Sequence, residues 1–129
     1  MSKKIMIIDD DIDLVEAMRI TLESAGFDVI DAQDGSRGLT ILKTEQPDLL
    51  ILDVMMDSQD EGFQLAYQLR ASENTRDIPI LMVTAVGAQT GFSFDSSKDE
   101  SFLPVDEFIE KPVNPQALID AVKRNLPIV

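Results

Sequence analysis

Short hydrophobic runs recur along this chain, and amphipathic stretches separate them. Four of the runs are continuous and apolar, and the polar residues at their ends include Asp9, Asp53, Thr84 and Lys111. Such runs are typical of strands that are buried on both faces of a parallel sheet. The carboxyl ends of parallel strands share one edge, where ligands bind. The pattern therefore predicts that these four side chains meet at one site.

Hydrophobic spacing and helix-end signals place the secondary structure. Asp34 and Asn114 are predicted N-caps, Pro115 suits a first helical position, and Gly26 and Pro47 mark helix ends. Strands are expected at about residues 4–8, 27–31, 48–53, 78–83 and 107–110, and helices at about 12–25, 35–46, 62–71 and 115–126. Strands that alternate with helices indicate an α/β fold with right-handed crossovers.

The segment 86–106 interrupts this alternation. Between residues 86 and 100 it shows no convincing helical period, and it is rich in Gly, Ser and Asp, which favour turns. Alternation alone predicts a helix between strands four and five. We therefore expect this fourth helix to be short, irregular or missing.

Composition narrows the function classes. The 129 residues suffice for one domain with one core. Without cysteine or histidine, the chain has no disulfide, no thiolate or imidazole metal site and no histidine base. The net charge of -13 disfavours direct contact with nucleic acid and with anionic membranes. No apolar run reaches the length of a signal peptide or a membrane span, so we expect a cytoplasmic location.

Three acids, Asp9, Asp10 and Asp53, are expected to form a carboxylate cluster at the strand ends. Like charges this close together are unfavourable unless a proton or a cation neutralises them. Mg2+ suits the cluster because it binds carboxylates, keeps several waters and accepts phosphate oxygens. Taken singly, each aspartate has an ordinary alternative as a solvated residue. Thr84 and Lys111 at the other two strand ends favour the cluster.

Asp53 is the candidate nucleophile, because it follows the most apolar strand. A carboxylate can attack a phosphoryl group and become an aspartyl phosphate. Phosphoryl transfer requires mainly positioning and charge neutralisation, which the Lys111 ammonium, the Thr84 hydroxyl and the metal would supply. The alternatives are that Lys111 is a surface lysine and that Thr84 is an ordinary strand residue.

These motifs resemble those of the receiver domain of two-component response regulators, in the CheY-like superfamily. The matching stretches are Ile7-Ile8-Asp9-Asp10, residues 47–56, residues 78–85 and Phe108-Ile109-Glu110-Lys111-Pro112. The resemblance implies a flavodoxin-like, doubly wound sheet of five parallel strands in the order 2-1-3-4-5. It implies a signalling switch of a two-component system or phosphorelay. A sensor histidine kinase or a histidine phosphotransfer protein would phosphorylate Asp53.

The same resemblance implies a set of metal ligands. Asp10 and Asp53 would bind Mg2+ directly, together with the backbone carbonyl of Met55. Asp9 would bind the ion through a water molecule. Lys111 would contact the phosphoryl group.

The resemblance also implies a switch. Thr84 would move toward the phosphoryl group, and Phe108 would follow by changing its rotamer.

Two residues after Asp53 and two after Thr84, the chain has the apolar residues Met55 and Val86, and neither can orient an attacking water. We therefore expect the protein to catalyse its own phosphorylation and only slow autodephosphorylation.

The chain departs from the family pattern in two places. After Asp53 the loop is about one residue longer, and Asp57 replaces the usual proline. The segment between Thr84 and Lys111 is longer than usual, which makes the region between strands four and five atypical. Whether residues 86–104 form an order–disorder switch or a passive acidic loop stays open at this point.

The predicted last helix ends near Leu126, so we expect a single stand-alone receiver domain over residues 1–129, with no output domain. The signal would then pass to a separate, unidentified protein partner. A non-phosphorylated interaction module on the same fold is the alternative function. A haloacid-dehalogenase-like phosphatase is disfavoured by Met55, where its second aspartate would stand. An EF-hand is disfavoured by Leu14 and Ile20 at loop positions six and twelve.

Overall fold

The computed structural model describes residues 3–53, 61–84 and 105–126. The strands in these ranges are β1 (Lys4–Ile8), β2 (Asp28–Ala32), β3 (Leu49–Asp53), β4 (Ile80–Thr84) and β5 (Glu107–Glu110). The helices are α1 (Ile12–Ser24), α2 (Gly35–Leu42), α3 (Glu61–Ala71) and α4 (Pro115–Asn125). Within the described ranges, none of the helices combines the length and the apolar character that crossing a membrane requires.

The five strands form one parallel sheet in the order β2-β1-β3-β4-β5, as predicted. In the centre of the sheet, Ile7 pairs with Ile51 and Leu52 pairs with Met82. This order confirms the flavodoxin-like, doubly wound fold. The predicted fourth helix between β4 and β5 falls on residues that lie outside the described ranges.

Helices cover both faces of the sheet, which explains why the central strands are apolar without interruption. Every residue of β3 and β4 is buried. Ile51 belongs to the core layer under α1 and α4, and its neighbour Leu52 belongs to the layer under α2 and α3. Each fully buried aliphatic side chain contributes roughly 1.5–3 kcal/mol. The two layers hold the strand ends in a fixed arrangement.

Polar side chains cap three of the described helices. The side chain of Asp34 accepts a hydrogen bond from the Arg37 amide at 2.8 Å. The side chain of Asn114 accepts one from the Ala117 amide at 3.0 Å. Both predicted N-caps are therefore confirmed. The α1 cap, Asp11, was not predicted, and its Oδ1 accepts from the Leu14 amide at 3.1 Å. A cap of this kind stabilises a helix by about 1 kcal/mol.

Two element boundaries differ from the prediction for local reasons. α2 ends at Leu42 rather than at about Gln46, because two amides that follow it bond to the single carbonyl of Ile41 and tighten the chain into a turn. β4 begins at Ile80, two residues later than predicted. The preceding Pro79 has no N–H to donate to the sheet.

α2 packs closely against the carboxyl end of β1. A Cβ atom at Gly38 would lie 2.4 Å from Cδ1 and 3.1 Å from Cγ1 of Ile8. Only glycine therefore allows this separation between α2 and the sheet without a shift of Ile8. The close contact supports the strand at the residue that immediately precedes Asp9.

A guanidinium group holds the start of the edge strand β5. Arg70 donates to the carbonyl of Ile78 at 2.6 Å and to the carboxylate of Asp106 at 2.7 Å. The same carboxylate oxygen accepts from the amide of Ile80 at 2.8 Å. Because Asp106 directly precedes β5, the start of this strand is joined to α3 and to β4. This positions the strand whose far end leads to Lys111.

Candidate functional site

The parallel pairing of β1 and β3 brings two carboxylates together. Ile8 pairs with Leu52, so Asp9 and Asp53 follow at the same edge of the sheet. One carboxylate oxygen from each of Asp9, Asp10 and Asp53 lies within 4.8 Å of the others. Asp9 is 1% exposed and Asp53 is 4% exposed, whereas Asp10 faces solvent. The structure therefore forms the predicted cluster, with two of its acids in the protein interior.

Two backbone hydrogen bonds fix Asp9. Its amide donates to the carbonyl of Ala32 at 3.1 Å, and its Oδ1 accepts from the amide of Asp11 at 2.9 Å. The other oxygen, Oδ2, is buried, and it has no hydrogen-bond partner within residues 3–53, 61–84 and 105–126. Buried polar atoms in folded proteins nearly always have a partner, so an orphan of this kind indicates a missing ligand.

Burial is the main cause that raises the pKa of Asp9 from 3.8 to about 7. The hydrogen bond from the Asp11 amide and the charge of Lys111 lower the pKa of this carboxyl, and the charge of Asp53 raises it. Burial penalises the charged form because a carboxylate loses its hydration. Near neutral pH, Asp9 must therefore hold a proton or face a cation.

The one cation beside the cluster in the described part of the chain comes from the end of β5. The Nζ of Lys111 lies 3.6 Å from Oδ2 of Asp53. The backbone amide of Lys111 donates to the carbonyl of Thr84 at 2.7 Å, which ties the ends of β4 and β5 together. The charge of one lysine offsets only part of the negative charge of three carboxylates.

Thr84 ends β4 with a hydroxyl that is completely buried and has no hydrogen-bond partner in the part of the chain that the structure describes. On the neighbouring strand, Glu110 pairs with Thr84 and Phe108 pairs with Met82. Because side chains alternate along a strand, Phe108 projects from the same face of the sheet as Thr84 and lies diagonal to it. Phe108 is half-buried and packs on the core layer under α2 and α3.

The structure leaves some of the predicted site residues undescribed. Met55, whose carbonyl was a predicted metal ligand, Val86, and the loop acid Asp57 lie outside the described ranges. The roles assigned to them remain predictions. Conversely, Asp11 was overlooked, although an aspartate three residues before Leu14 at the start of a helical pattern is a recognisable N-cap signal.

The donor set suits a small, hard divalent cation. All three acids offer oxygen ligands, two of them are buried, and Oδ2 of Asp9 has no partner. Mg2+ is typically held by one or two carboxylates and retains several waters, one of which can serve a third acid. The residues present therefore fit Mg2+, and they also offer a nucleophile, Asp53, beside an ammonium group.

Comparison with protein families gives a match over nearly the whole chain. The sequence model of the response regulator receiver domain matches residues 5–123. The regulator RpaA of Synechocystis, described as a DNA-binding dual master transcriptional regulator, is 38% identical over 93% of this chain and 47% of its own length. The alkaline phosphatase synthesis regulatory protein PhoP of Bacillus subtilis is 37% identical over 95% of this chain and 48% of its own length. The chain spans about half the length of these curated relatives.

Solved structures show the same architecture. The chemotaxis protein CheY4 of Vibrio cholerae has a TM-score of 0.83 and 27% identity, with 98% of this chain and 100% of that chain covered. A response regulator of Chloroflexus aurantiacus, described as putative, has a TM-score of 0.80 and 31% identity, with coverages of 96% and 97%.

The orphan hydroxyl of Thr84 leads to an unusual stability prediction. The Thr84→Val variant should raise the free energy of unfolding by roughly 0.5–1 kcal/mol, because it removes a buried polar group that has no partner. Thr75→Val is the matched control, since that buried hydroxyl donates to the carbonyl of Leu69 at 2.6 Å. The free energy of unfolding of this control should fall by about 1 kcal/mol. Equal losses in urea unfolding of both variants would contradict this account of Thr84.

The raised pKa of Asp9 predicts that Asp9→Asn increases the free energy of unfolding of chelator-treated protein, by an amount that depends on pH. The folded pKa of about 7 lies above the unfolded value of 3.8. Stability from protonated Asp9 is therefore fully present below about pH 3.8, and it is lost as the pH rises to about 7.

The free energy of unfolding of Asp9→Asn should exceed that of the wild type by an amount that grows across this range and then levels off at about 1–3 kcal/mol. Urea unfolding at a series of pH values measures the difference. Two pH profiles that run parallel would show that the buried charge of Asp9 does not destabilise the fold.

Proposed function

Because this chain belongs to the response regulator receiver domain family, we propose that it is a phosphorylation-dependent signalling switch whose phosphoacceptor is Asp53. Phosphorylation and Mg2+ binding are typical of this family. The observation that supports the proposal most strongly is the setting of Asp53. Its carboxylate is buried, ends the central strand β3, lies 3.6 Å from the Lys111 ammonium and has an oxygen within 4.8 Å of a carboxylate oxygen of Asp9.

The transfer step needs little from the protein beyond position and charge. An oxygen of Asp53 attacks the phosphorus of a phosphohistidine on a donor protein. The new oxygen–phosphorus bond forms while the phosphorus–nitrogen bond breaks, and the imidazole leaves with the bonding electron pair. The Lys111 ammonium stabilises the negative charge on the phosphoryl oxygens. This chain has no histidine, so the phosphohistidine belongs to another protein or domain.

The acids around Asp53 prepare the site for a metal ion. Asp10 and Asp53 would hold Mg2+ directly and Asp9 would hold it through water, with the Met55 carbonyl as the proposed backbone ligand. A bound Mg2+ would neutralise negative charge on the phosphoryl oxygens and on the carboxylates. The Oδ2 of Asp9 supports this assignment, because it is a buried acceptor to which none of the described residues donates a hydrogen bond.

The proposed signal starts at Thr84 and Phe108. In the unphosphorylated chain the Thr84 hydroxyl has no hydrogen-bond partner, and a phosphoryl oxygen on Asp53 would provide one. Phe108 lies diagonal to Thr84 on the same face of the sheet, so a shift of Thr84 changes the space that the ring can fill. The reorganised surface at β4 and β5 would then be read by a downstream protein.

The proposed phosphodonor is a sensor histidine kinase or a histidine phosphotransfer protein. Some relatives of this chain are described as DNA-binding or transcriptional regulators, and the chain spans about half of their length. The net charge of -13 makes direct contact between this chain and nucleic acid unfavourable. We therefore propose that the receiver signals through protein contacts in the cytoplasm and does not itself bind nucleic acid or membranes.

Intact-mass spectrometry after incubation with acetyl phosphate and Mg2+ tests the assignment of Asp53. The wild type should gain one phosphoryl group, and chelator or Asp53→Ala should abolish the gain. Asp48→Ala is the matched control, because Asp48 directly precedes β3 at the opposite edge of the sheet, where it accepts from the Lys4 amide. This control should be labelled like the wild type.

The proposal fails if the folded wild type gains no mass with either acetyl phosphate or phosphoramidate. It also fails if Asp53→Ala is labelled as fast as the wild type. The first result would favour the non-phosphorylated interaction module.

A further inference from the structure

The turn between β1 and α1 joins a helix cap to a carboxylate of the site. The amide of Asp11 donates to Oδ1 of Asp9 at 2.9 Å. The side chain of the same residue accepts from the amide of Leu14 at 3.1 Å, as the N-cap of α1. The side chain of Asp11 is thus hydrogen-bonded to helix α1, and its backbone amide is hydrogen-bonded to Asp9 of the site.

This arrangement decides which oxygen of Asp9 is available. Oδ1 is occupied by the Asp11 amide, so Oδ2 is the atom that remains buried without a partner. The backbone of Asp9 is also fixed, because its own amide donates to the Ala32 carbonyl at 3.1 Å. With the backbone and Oδ1 both held, the carboxylate plane of Asp9 has one orientation.

We infer that Asp11 is a positioning residue of the cation site, which acts through Asp9 by holding its carboxylate in the orientation that a divalent cation requires. The inference rests on the proposed function, since it concerns the same carboxylate cluster. Partners that orient metal ligands commonly change metal affinity by 10–100-fold when they are removed. Asp11 is not itself a ligand of the cluster, which is formed by Asp9, Asp10 and Asp53.

The side chain of Asp11 affects the cation site through its role as the N-cap of α1. The side chain is exposed and points to the Leu14 amide, so its removal leaves the three carboxylates of the cluster in place. Removal of the side chain loosens the first turn of α1. It thereby also loosens the backbone amide of Asp11, which donates to Oδ1 of Asp9. Loss of one negative charge is a competing cause of weaker cation binding, and the variants must separate the two causes.

Four variants of the full chain make this separation. Asp11→Ala removes both the cap and the charge, whereas Asp11→Asn and Asp11→Ser remove the charge and keep a capping oxygen. Asp34→Ala is the matched control, because Asp34 caps α2 in the same way, accepting from the Arg37 amide at 2.8 Å. This control loses a cap and a charge, but its N-cap residue bonds to the Arg37 amide, whereas the carboxylate of Asp9 is bound by the backbone of Asp11.

Isothermal titration calorimetry with Mg2+ alone measures the dissociation constant of each variant. Asp11→Ala should bind Mg2+ about tenfold more weakly than the wild type, while Asp11→Asn, Asp11→Ser and Asp34→Ala stay within about threefold. Thermal unfolding without metal should show similar losses for Asp11→Ala and Asp34→Ala, because each loses one N-cap.

Each alternative outcome overturns the inference in a recognisable way. If the wild type binds Mg2+ and Asp11→Ala binds it equally well, the positioning role fails and the proposed function stands. If Asp11→Asn and Asp11→Ser are weakened as much as Asp11→Ala, charge and not orientation sets the affinity. If the wild type binds no Mg2+, both the inference and the proposed metal site fail.

Discussion

Two buried carboxylates, those of Asp9 and Asp53, lie at the carboxyl edge of the sheet, where Lys111 supplies the one ammonium group beside them in the described ranges. Burial removes their hydration, and their negative charges repel one another. Lys111 offsets only part of this charge, and among the described residues one oxygen of Asp9 has no hydrogen-bond partner. The fold therefore maintains a local excess of negative charge, which the proposed divalent cation would relieve. In the proposed function, phosphoryl transfer to Asp53 would depend on that relief, because an incoming phosphoryl group adds further negative charge.

The rest of the structure holds this unfavourable arrangement in place. The continuous apolar strands β1, β3 and β4 are covered on both faces, so the residues that follow them cannot move apart without loss of core packing. Gly38 lets α2 approach the end of β1, directly before Asp9. At the other end of the sheet, Arg70 and Asp106 hold the start of β5, whose far end leads to Lys111. Packing at a distance from the site therefore keeps its mutually repelling carboxylates close together.

The meeting of Asp9, Asp53 and Lys111 was predictable, because apolar runs and their polar ends are strong signals in a parallel sheet. The strand order was predictable only through the resemblance to the receiver family. The orientation of Asp9 was not, since it depends on the Ala32 carbonyl, and no sequence pattern marks a carbonyl. The early end of α2 was also missed. Its cause is a pair of amides that share the Ile41 carbonyl, and hydrophobic spacing does not indicate such local hydrogen bonds at a helix end.

The thermal midpoint of the wild type at increasing MgCl2, compared with NaCl of equal ionic strength, tests the central claim most directly. Stability should rise with Mg2+ by roughly 1.4 kcal/mol for each tenfold increase above the dissociation constant, because only the folded state gathers the carboxylates. NaCl should have little effect, and in an Asp9→Asn/Asp53→Asn double variant the two salts should act alike. Equal responses of the wild type to both salts would show that the cluster is ordinary surface charge and would contradict this account.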